Sequence, residues 1–392
     1  MTEKRTQFDY NSPEVRAQID AAIHGTFVRQ GTMVAFPTGF PGAAIPIVPD
    51  ESHITALDAT PEGIIYAGTS GKRCHIFVGM FHGVTGMVFD LKAVDGATHC
   101  PAVCCGKTKF LACVNGPRGK GRILVTNLQP LPYDLIQEWG FERPAFDDLG
   151  VCVAGEPIVH AVGDASSDRV VGVTTRHLFT VDMQAGKIQV VGEVAGAGRP
   201  GAPKPSVARG WDGGTLWGAG RLAVGSKGSI IGLDGTGHLW RFDPHTQTLH
   251  RQAFKLPQGT WDKAPLVWAR GRQRGLLYTA DADGQLLSFD EERGFSASLG
   301  KTLLAPVGPM AITFDGRVFG FCGSGIAKMF CYDPSRGEIA DLGVAVSVFE
   351  RRRYGYVFGD AVTGRDGEII FGEDDDSGHL WLYFPRIQAA RI

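Results

Sequence analysis

The sequence predicts an all-β protein, a single seven-bladed β-propeller of four-stranded antiparallel blades. Three observations predict it. One short strand motif recurs seven times, the copies are spaced at blade-like intervals, and glycine is frequent enough to turn that many strands. The chain has 54 Gly and 22 Pro in 392 residues, a balance that suits tight turns better than helices. It is 43% hydrophobic and 20% charged, an ordinary globular composition with ample material for a core.

The clearest copy of the motif is Gly237-His-Leu-Trp-Arg-Phe-Asp243. It recurs as Gly284-Gln-Leu-Leu-Ser-Phe-Asp290, Gly378-His-Leu-Trp-Leu-Tyr-Phe384, Arg176-His-Leu-Phe-Thr-Val-Asp182 and Ala327-Lys-Met-Phe-Cys-Tyr-Asp333. Weaker copies are Cys74-His-Ile-Phe-Val78 and Gly121-Arg-Ile-Leu-Val-Thr-Asn127. The second residues fall at 75, 122, 177, 238, 285, 328 and 379, with gaps of 43 to 61 residues. A blade of four short strands needs about 40 to 50 residues, so the longer gaps mark loop insertions.

Most copies follow a second strand pattern, such as Gly63-Ile-Ile-Tyr-Ala-Gly68 or Gly367-Glu-Ile-Ile-Phe-Gly372. Before that lies another apolar stretch, such as Ile54-Thr-Ala-Leu57 or Met310-Ala-Ile-Thr-Phe314. The order is that of an antiparallel meander whose strands are buried on both faces between neighbouring blades. The last copy ends near the C-terminus, so its blade lacks an outer strand. Thr32-Met-Val-Ala-Phe-Pro37 is expected to supply it and close the ring. Ser12-Pro-Glu-Val-Arg-Ala-Gln-Ile-Asp-Ala-Ala-Ile23 opens like a helix, and one short helix outside the ring is expected there. The expected organisation is one domain over 1–392: a lead-in with the helix over 1–31, the propeller over 32–385 and a tail over 386–392. Insertions are expected at Leu131 to Gly155 and at Gly192 to Gly220.

A formal net charge of −2 offers no global basic field for nucleic acid. No apolar run of about 18 residues is present to span a membrane. The first residues lack the apolar core of a signal peptide, so the expected compartment is the cytoplasm, or an exported one if a leader has been removed. Five of the eight Cys crowd between Cys74 and Cys113. That crowding reads as reduced thiols rather than a spaced disulfide framework.

His75, His177, His238 and His379 share one place in the repeat, held elsewhere by Arg122, Gln285 and Lys328. A place so tolerant reads as a polar strand start at a turn. A unique site needs residues that break the symmetry. His53 precedes the first strand of its blade, and His99 and His160 sit at comparable places in the next two blades. Three His converging on one end of the channel would suit acid–base or metal chemistry; the plainer reading is three polar residues satisfied by backbone. Asp281-Ala-Asp-Gly284 and Glu373-Asp-Asp-Asp-Ser-Gly378 could hold structural calcium, although Asp-Gly and Ser-Gly are also ordinary hairpin residues. No cofactor is required by any motif. Arg351-Arg-Arg-Tyr354 precedes a first strand, where Arg could grip a carboxylate and Tyr could move a proton; it also reads as a solvated charge run. Gly196-Ala-Gly-Arg-Pro-Gly201 spells a dinucleotide motif, but the prolines that follow forbid the helix it needs.

Ser52-His-Ile-Thr-Ala-Leu57, with Gly63-Ile-Ile-Tyr-Ala-Gly-Thr69 and Cys74-His75, resembles the first blade of the seven-bladed polysaccharide lyases. These are the ulvan and rhamnose-glucuronate lyases, with their rhamnosidase-like relatives. The end of the chain, Phe371 to Pro385, is similar to the end of their propellers. The resemblance implies β-elimination at a uronic acid in an oligosaccharide or polysaccharide. It implies His53 as the base, His75 as the group neutralising the carboxylate, and Tyr354 as a catalytic assistant. His99, His160, Arg209 and Arg353 are the expected substrate-binding residues. The alternatives are a rhamnosidase-like hydrolase, a propeller that binds a protein or glycan without catalysis, and a metal enzyme at the channel mouth. Fold alone does not choose among them.

Overall fold

Each of the seven motif copies forms the third strand of an antiparallel sheet, and the stretches before it form the first and second strands. The computed structural model describes residues 31–38, 46–82, 85–117, 120–128, 143–194, 221–261, 263–272, 275–348 and 354–386, together with 13, 14 and 17. Blade one is His53–Ala59, Ile65–Ser70, Cys74–His82 and Thr85–Val94, paired in that order. Blades two, three and four begin at His99–Cys105, Ile158–Gly163 and Ala223–Val224 and repeat the pattern. Blade six begins at Val307–Ile312 and blade seven at Phe358–Thr363.

Blade five is the irregular one. Its first strand is reduced to a bridge between Trp268 and Thr279. The next residues, Arg270–Gly271, run parallel beside Ala311 and Ile312 of blade six. Two short segments, Gly294–Phe295 and Gly300–Lys301, share the outer position along Gln285–Asp290.

The ring closes as expected. Gly31–Pro37 pairs along its whole length with His379–Pro385, from Gly31 opposite Pro385 to Pro37 opposite His379. Of the expected helix over Ser12–Ile23, only Pro13, Glu14 and Ala17 are described, and they are helical. Of the expected insertions, 131–155 and 192–220, residues 131–142 and 195–220 lie outside the described residues, and Asp147–Val151 forms the outer strand of blade two. No described helix is long and apolar enough to cross a membrane.

The core lies between the blades. Each of the seven interfaces carries its own cluster of buried side chains, from Tyr66, Ile76 and Phe110 between blades one and two to Ile54, Leu57 and Leu380 between seven and one. Burying each such side chain contributes about 1.5–3 kcal/mol. The Gly in several second strands has a packing reason. A Cβ on Gly232 would lie 2.1 Å from the ring of Trp240, its partner across the ladder. The same holds for Gly172 under Phe179. In blades three, four and six the aromatic residue of the motif therefore lies opposite a glycine of the neighbouring strand. All eight cysteines are free and buried, and burial raises the Cys104, Cys105 and Cys113 thiols well above their ordinary value.

At the trailing ends of the first strands, one arginine ties three blades across the channel. Arg270 of blade five bonds Asp58 of blade one and Asp360 of blade seven, each at 3.1 Å, and also the Leu57 carbonyl. Asp360 is buried and also accepts the Leu57 amide at 2.7 Å. Its burial outweighs the pull of Arg270 and pushes its pKa up to about 6.

Two outcomes are expected. A chain lacking Gly31–Pro37 would leave Met33 and Ala35 out of the blade six–seven core. Calorimetry should then show a broad, much lower transition; a sharp transition at the wild-type temperature would contradict the closure. Arg270→Ala strands two carboxylates, and urea denaturation should show a loss of about 3–5 kcal/mol. A loss below about 1 kcal/mol would show that the tie is not a stabilising contact.

Candidate functional site

The first strands all run in the same direction, so their leading residues meet at one end of the channel. His53 and His99 each open such a strand. In five blades the first strand also carries a β-bulge two or three residues in. A bulge re-aims side chains and is common beside functional sites. In blade three it places His160 level with Ala56 of blade one, deeper than His53.

His53 sits between two carboxylates. Its Nδ1 lies 3.0 Å from Asp374 and its Nε2 lies 2.9 Å from Asp376. Both acids belong to the acidic turn of blade seven. That turn, Glu373–His379, is two residues longer than its counterparts Asp234–His238 and Asp281–Gln285. Asp375 takes the usual turn role, accepting the Ser377 and Gly378 amides, which leaves Asp374 and Asp376 to face blade one. Burial disfavours the His53 charge, but hydrogen bonding and attraction to the two aspartates win and push the pKa up to about 10. His53 is therefore an imidazolium at neutral pH, with both nitrogens donating and no lone pair left to take a proton.

His75 is held in the same way. Its Nε2 lies 2.8 Å from Glu51 and its Nδ1 lies 3.0 Å from Asp90. Burial opposes its charge and the two acids raise its pKa above the usual value. His177 on Glu156 and His379 on Glu373 repeat the pairing in blades three and seven. His75 thus belongs to a recurring carboxylate–histidine clasp that pins third strands.

His99 differs. Its Nδ1 lies 2.7 Å from the Ser70 hydroxyl, and Ser70 is directly opposite His53 in blade one. Its Nε2 is buried with no hydrogen-bond partner among the described residues. Burial lowers its pKa to about 4, with Asp374 opposing and Arg221 assisting. His99 is therefore neutral at pH 7. Arg221, just ahead of the first strand of blade four, lies within electrostatic reach of it; burial lowers the arginine to about 10, so it stays cationic. The amide of the next residue, Leu222, donates to His160 Nδ1 at 3.3 Å. Five consecutive blades, seven through four, thus contribute Asp374 and Asp376, His53 and Ser70, His99, His160 and Arg221 to one end of the channel.

The structure brings together three of the sequence-expected residues, His53, His99 and His160. It places His75 in the clasp. Tyr354 lies in a two-stranded hairpin opposite Val346, whose neighbours Ser347 and Val348 bond the closing strand rather than the histidines. Arg209 and Arg353 lie outside the described residues. Sequence reading missed Arg221, although its place before a first strand was a usable signal. The turns Asp281–Gly284 and Glu373–Gly378 read as ordinary hairpins that could also hold calcium. In the fold, Asp374 and Asp376 are engaged by His53, and Asp281 accepts the Asp283 and Gln285 amides. Among the described residues no group of three or more His, Cys, Asp or Glu is arranged to hold a metal.

The His53 clasp has a pH signature. Its folded pKa is raised above the ordinary 6.5 to about 10, so its stabilisation is fully present below pH 6.5 and is lost as pH rises towards 10. Stability should fall over that window by a few kcal/mol, on the order of 3. His53→Gln should flatten most of the slope in urea titrations from pH 6 to 10. Parallel slopes for the two proteins would overturn the assignment.

No protein-family model matches the chain, and no curated protein sequence does. Solved structures do. A streptogramin B lyase has a TM-score of 0.58 at 10% identity, covering 90% of this chain and 97% of that chain. Virginiamycin B lyase from Staphylococcus aureus, as a catalytically inactive histidine-to-alanine variant with Quinupristin, has a TM-score of 0.57 at 8% identity, covering 90% and 99%. The WD40 propeller domain of Doa1 has a TM-score of 0.50 at 10% identity, covering 87% and 95%. At such identities the likeness is one of architecture: the chain shares with these proteins the β-propeller fold.

Proposed function

We propose that the leading end of the channel is an acid–base site for β-elimination, and that its substrate is a glycan carrying a uronic acid. One observation carries the reading: a neutral, half-buried histidine, whose Nε2 is buried and has no partner among the described residues, stands within electrostatic reach of a desolvated arginine. Elimination beside a carboxylate needs that pair. A cation neutralises the carboxylate and acidifies the neighbouring C–H, and a neutral base takes the proton.

In this reading Arg221 faces the uronate carboxylate and His99 Nε2 takes the C5 proton. The C5–H electrons form the C4=C5 double bond, and the C4–O4 bond breaks with its electrons on O4. The His99 imidazolium so formed returns its proton to O4, and the ring is neutral again. His160, whose Nδ1 accepts the Leu222 amide, carries its one ring proton on Nε2. His53, as an imidazolium locked by two acids, orders the blade one–seven edge of the site. The base is thereby moved from His53, which the family resemblance suggests, to His99. Two of the similar propellers are named lyases, and one is inactive when a histidine is replaced by alanine, which accords with histidine-dependent elimination on this architecture.

A second reading has its own support. His53 and His75 have every ring nitrogen on a carboxylate, which suits a propeller that binds a glycan or protein without cleaving it.

The test is a screen of uronate-containing oligosaccharides for the ultraviolet absorbance of an unsaturated uronate. On a substrate so found, His99→Ala should lower kcat by about 10²–10⁴-fold. The kcat/KM profile should rise through pH 4, where His99 loses its proton, and show no inflection near 6.5. Full turnover by His99→Ala would refute the assignment. Tight glycan binding with no ultraviolet product would favour the second reading.

A further inference from the structure

We infer that Ser70, backed by Thr55, is the positioning residue that fixes the tautomer of His99 and leaves Nε2 as the nitrogen able to take a proton. The inference deepens the reading of His99 as the base and rests on it for its catalytic meaning. Its structural part stands on the order of hydrogen-bond donors.

That order follows from the one group in the chain that can only accept. The Cys100 carbonyl lies 2.8 Å from Thr55 Oγ1, so the single proton of Thr55 is committed there. Thr55 Oγ1 also lies 2.7 Å from Ser70 Oγ. With its proton committed, Thr55 accepts in that contact and Ser70 donates. Ser70 Oγ then has no proton left for His99 Nδ1 at 2.7 Å, so the imidazole Nδ1–H must donate to Ser70. The Cys100 amide approaches the same oxygen at 3.3 Å, as it would approach an acceptor. A neutral imidazole carries one N–H. The lone pair therefore resides on Nε2, the nitrogen that is buried with no partner among the described residues. The opposite tautomer would set two lone pairs against each other at Ser70 and bury an unsatisfied N–H at Nε2, an arrangement that costs more than either bond returns.

Three local features build the relay. The bulge between Ile54 and Ala56 takes Thr55 out of the ladder and turns its hydroxyl towards blade two. Ser70 ends the second strand of blade one, and His99 opens blade two. The chemistry of a blade-two histidine is thus set by two hydroxyls of blade one. Both are neutral, so they orient the ring without charging it, unlike the carboxylates at His53 and His75.

The test reads the tautomer directly. Long-range proton–nitrogen correlation spectra of the full chain labelled with ¹⁵N-histidine, assigned through His99→Gln, should show His99 with Nδ1 protonated and Nε2 bare at pH 7. Ser70→Ala should shift that ring towards a tautomer mixture, and Ser70→Thr should restore it. Thr55→Val, which leaves Ser70 its own proton, should also weaken the preference. On a uronate substrate that the wild type cleaves, Ser70→Ala should lower kcat about 10- to 100-fold with little change in KM, and Ser70→Thr should recover most of it. A wild-type His99 protonated at Nε2, or charged at pH 7, overturns the inference, as does an unchanged tautomer in Ser70→Ala. A bare Nε2 in a protein that cleaves no glycan upholds the positioning role and overturns the elimination reading alone.

Discussion

A propeller is held by a joint between its two ends, and everything at its centre depends on that joint. Here the joint is the pairing of Gly31–Pro37 with His379–Pro385. It places blade seven against blade one, and only then do the Asp374 and Asp376 carboxylates reach His53. The joint is apolar as well as hydrogen-bonded. Met33 and Ala35 enter the same buried cluster as Trp381 and Tyr383, so closing the ladder and completing the core are one event. Radial closure also removes most of the open edge that would otherwise pair with another chain.

Between blades, the apolar clusters supply affinity while polar side chains supply registration. Asp360 of blade seven caps the Leu57 amide of blade one, and Asp58 of blade one caps the Cys105 amide of blade two. Asn115 of blade two bonds both the amide and the carbonyl of Ile158 in blade three. Each contact fixes how far one first strand slides along the next, because a buried amide left without an acceptor is costly. Arg270 then links Asp58 and Asp360 across the channel. The two ends of the channel are thereby divided in purpose. The trailing end is filled with compensated charge and holds the ring. The leading end carries the uncompensated nitrogen of His99.

The fold was legible because it repeats. Seven copies of one strand pattern, three of them with an aromatic residue opposite a glycine such as Gly232 or Gly172, leave few other architectures open. The closing strand was legible because the last copy lacked a partner. The site was only partly legible, since a site on a repeat protein is a departure from the repeat. His53, His99 and His160 were found as departures. Their chemistry was not, because it depends on partners distant in sequence: Asp374 and Asp376 lie more than 300 residues from His53. Arg221 escaped notice because it borders the long segment 195–220, which drew attention to Arg209 instead. The composition of the acidic turn suits an ordinary hairpin as well as a cation site; its two-residue extension, which turns two carboxylates towards a histidine, matters only once blade seven meets blade one.

What separates a structural histidine from a chemical one here is the nature of its neighbours. His75, His177 and His379 each meet a carboxylate of their own blade, and His53 meets two from the adjacent blade. At His53 and His75 the acids raise the pKa and hold the ring as a donor, which is useful for pinning a strand and useless for taking a proton. His99 occupies the place in blade two that His53 occupies in blade one, yet it meets a hydroxyl. Desolvation is then unopposed by any bonded anion and the ring stays neutral. One change of partner type, from acid to alcohol, leaves a neutral ring with an open nitrogen in place of a fastening on an otherwise repeated frame. The asymmetry that a propeller needs for a unique site is therefore supplied by the groups that the ring brings to each histidine more than by the histidines themselves.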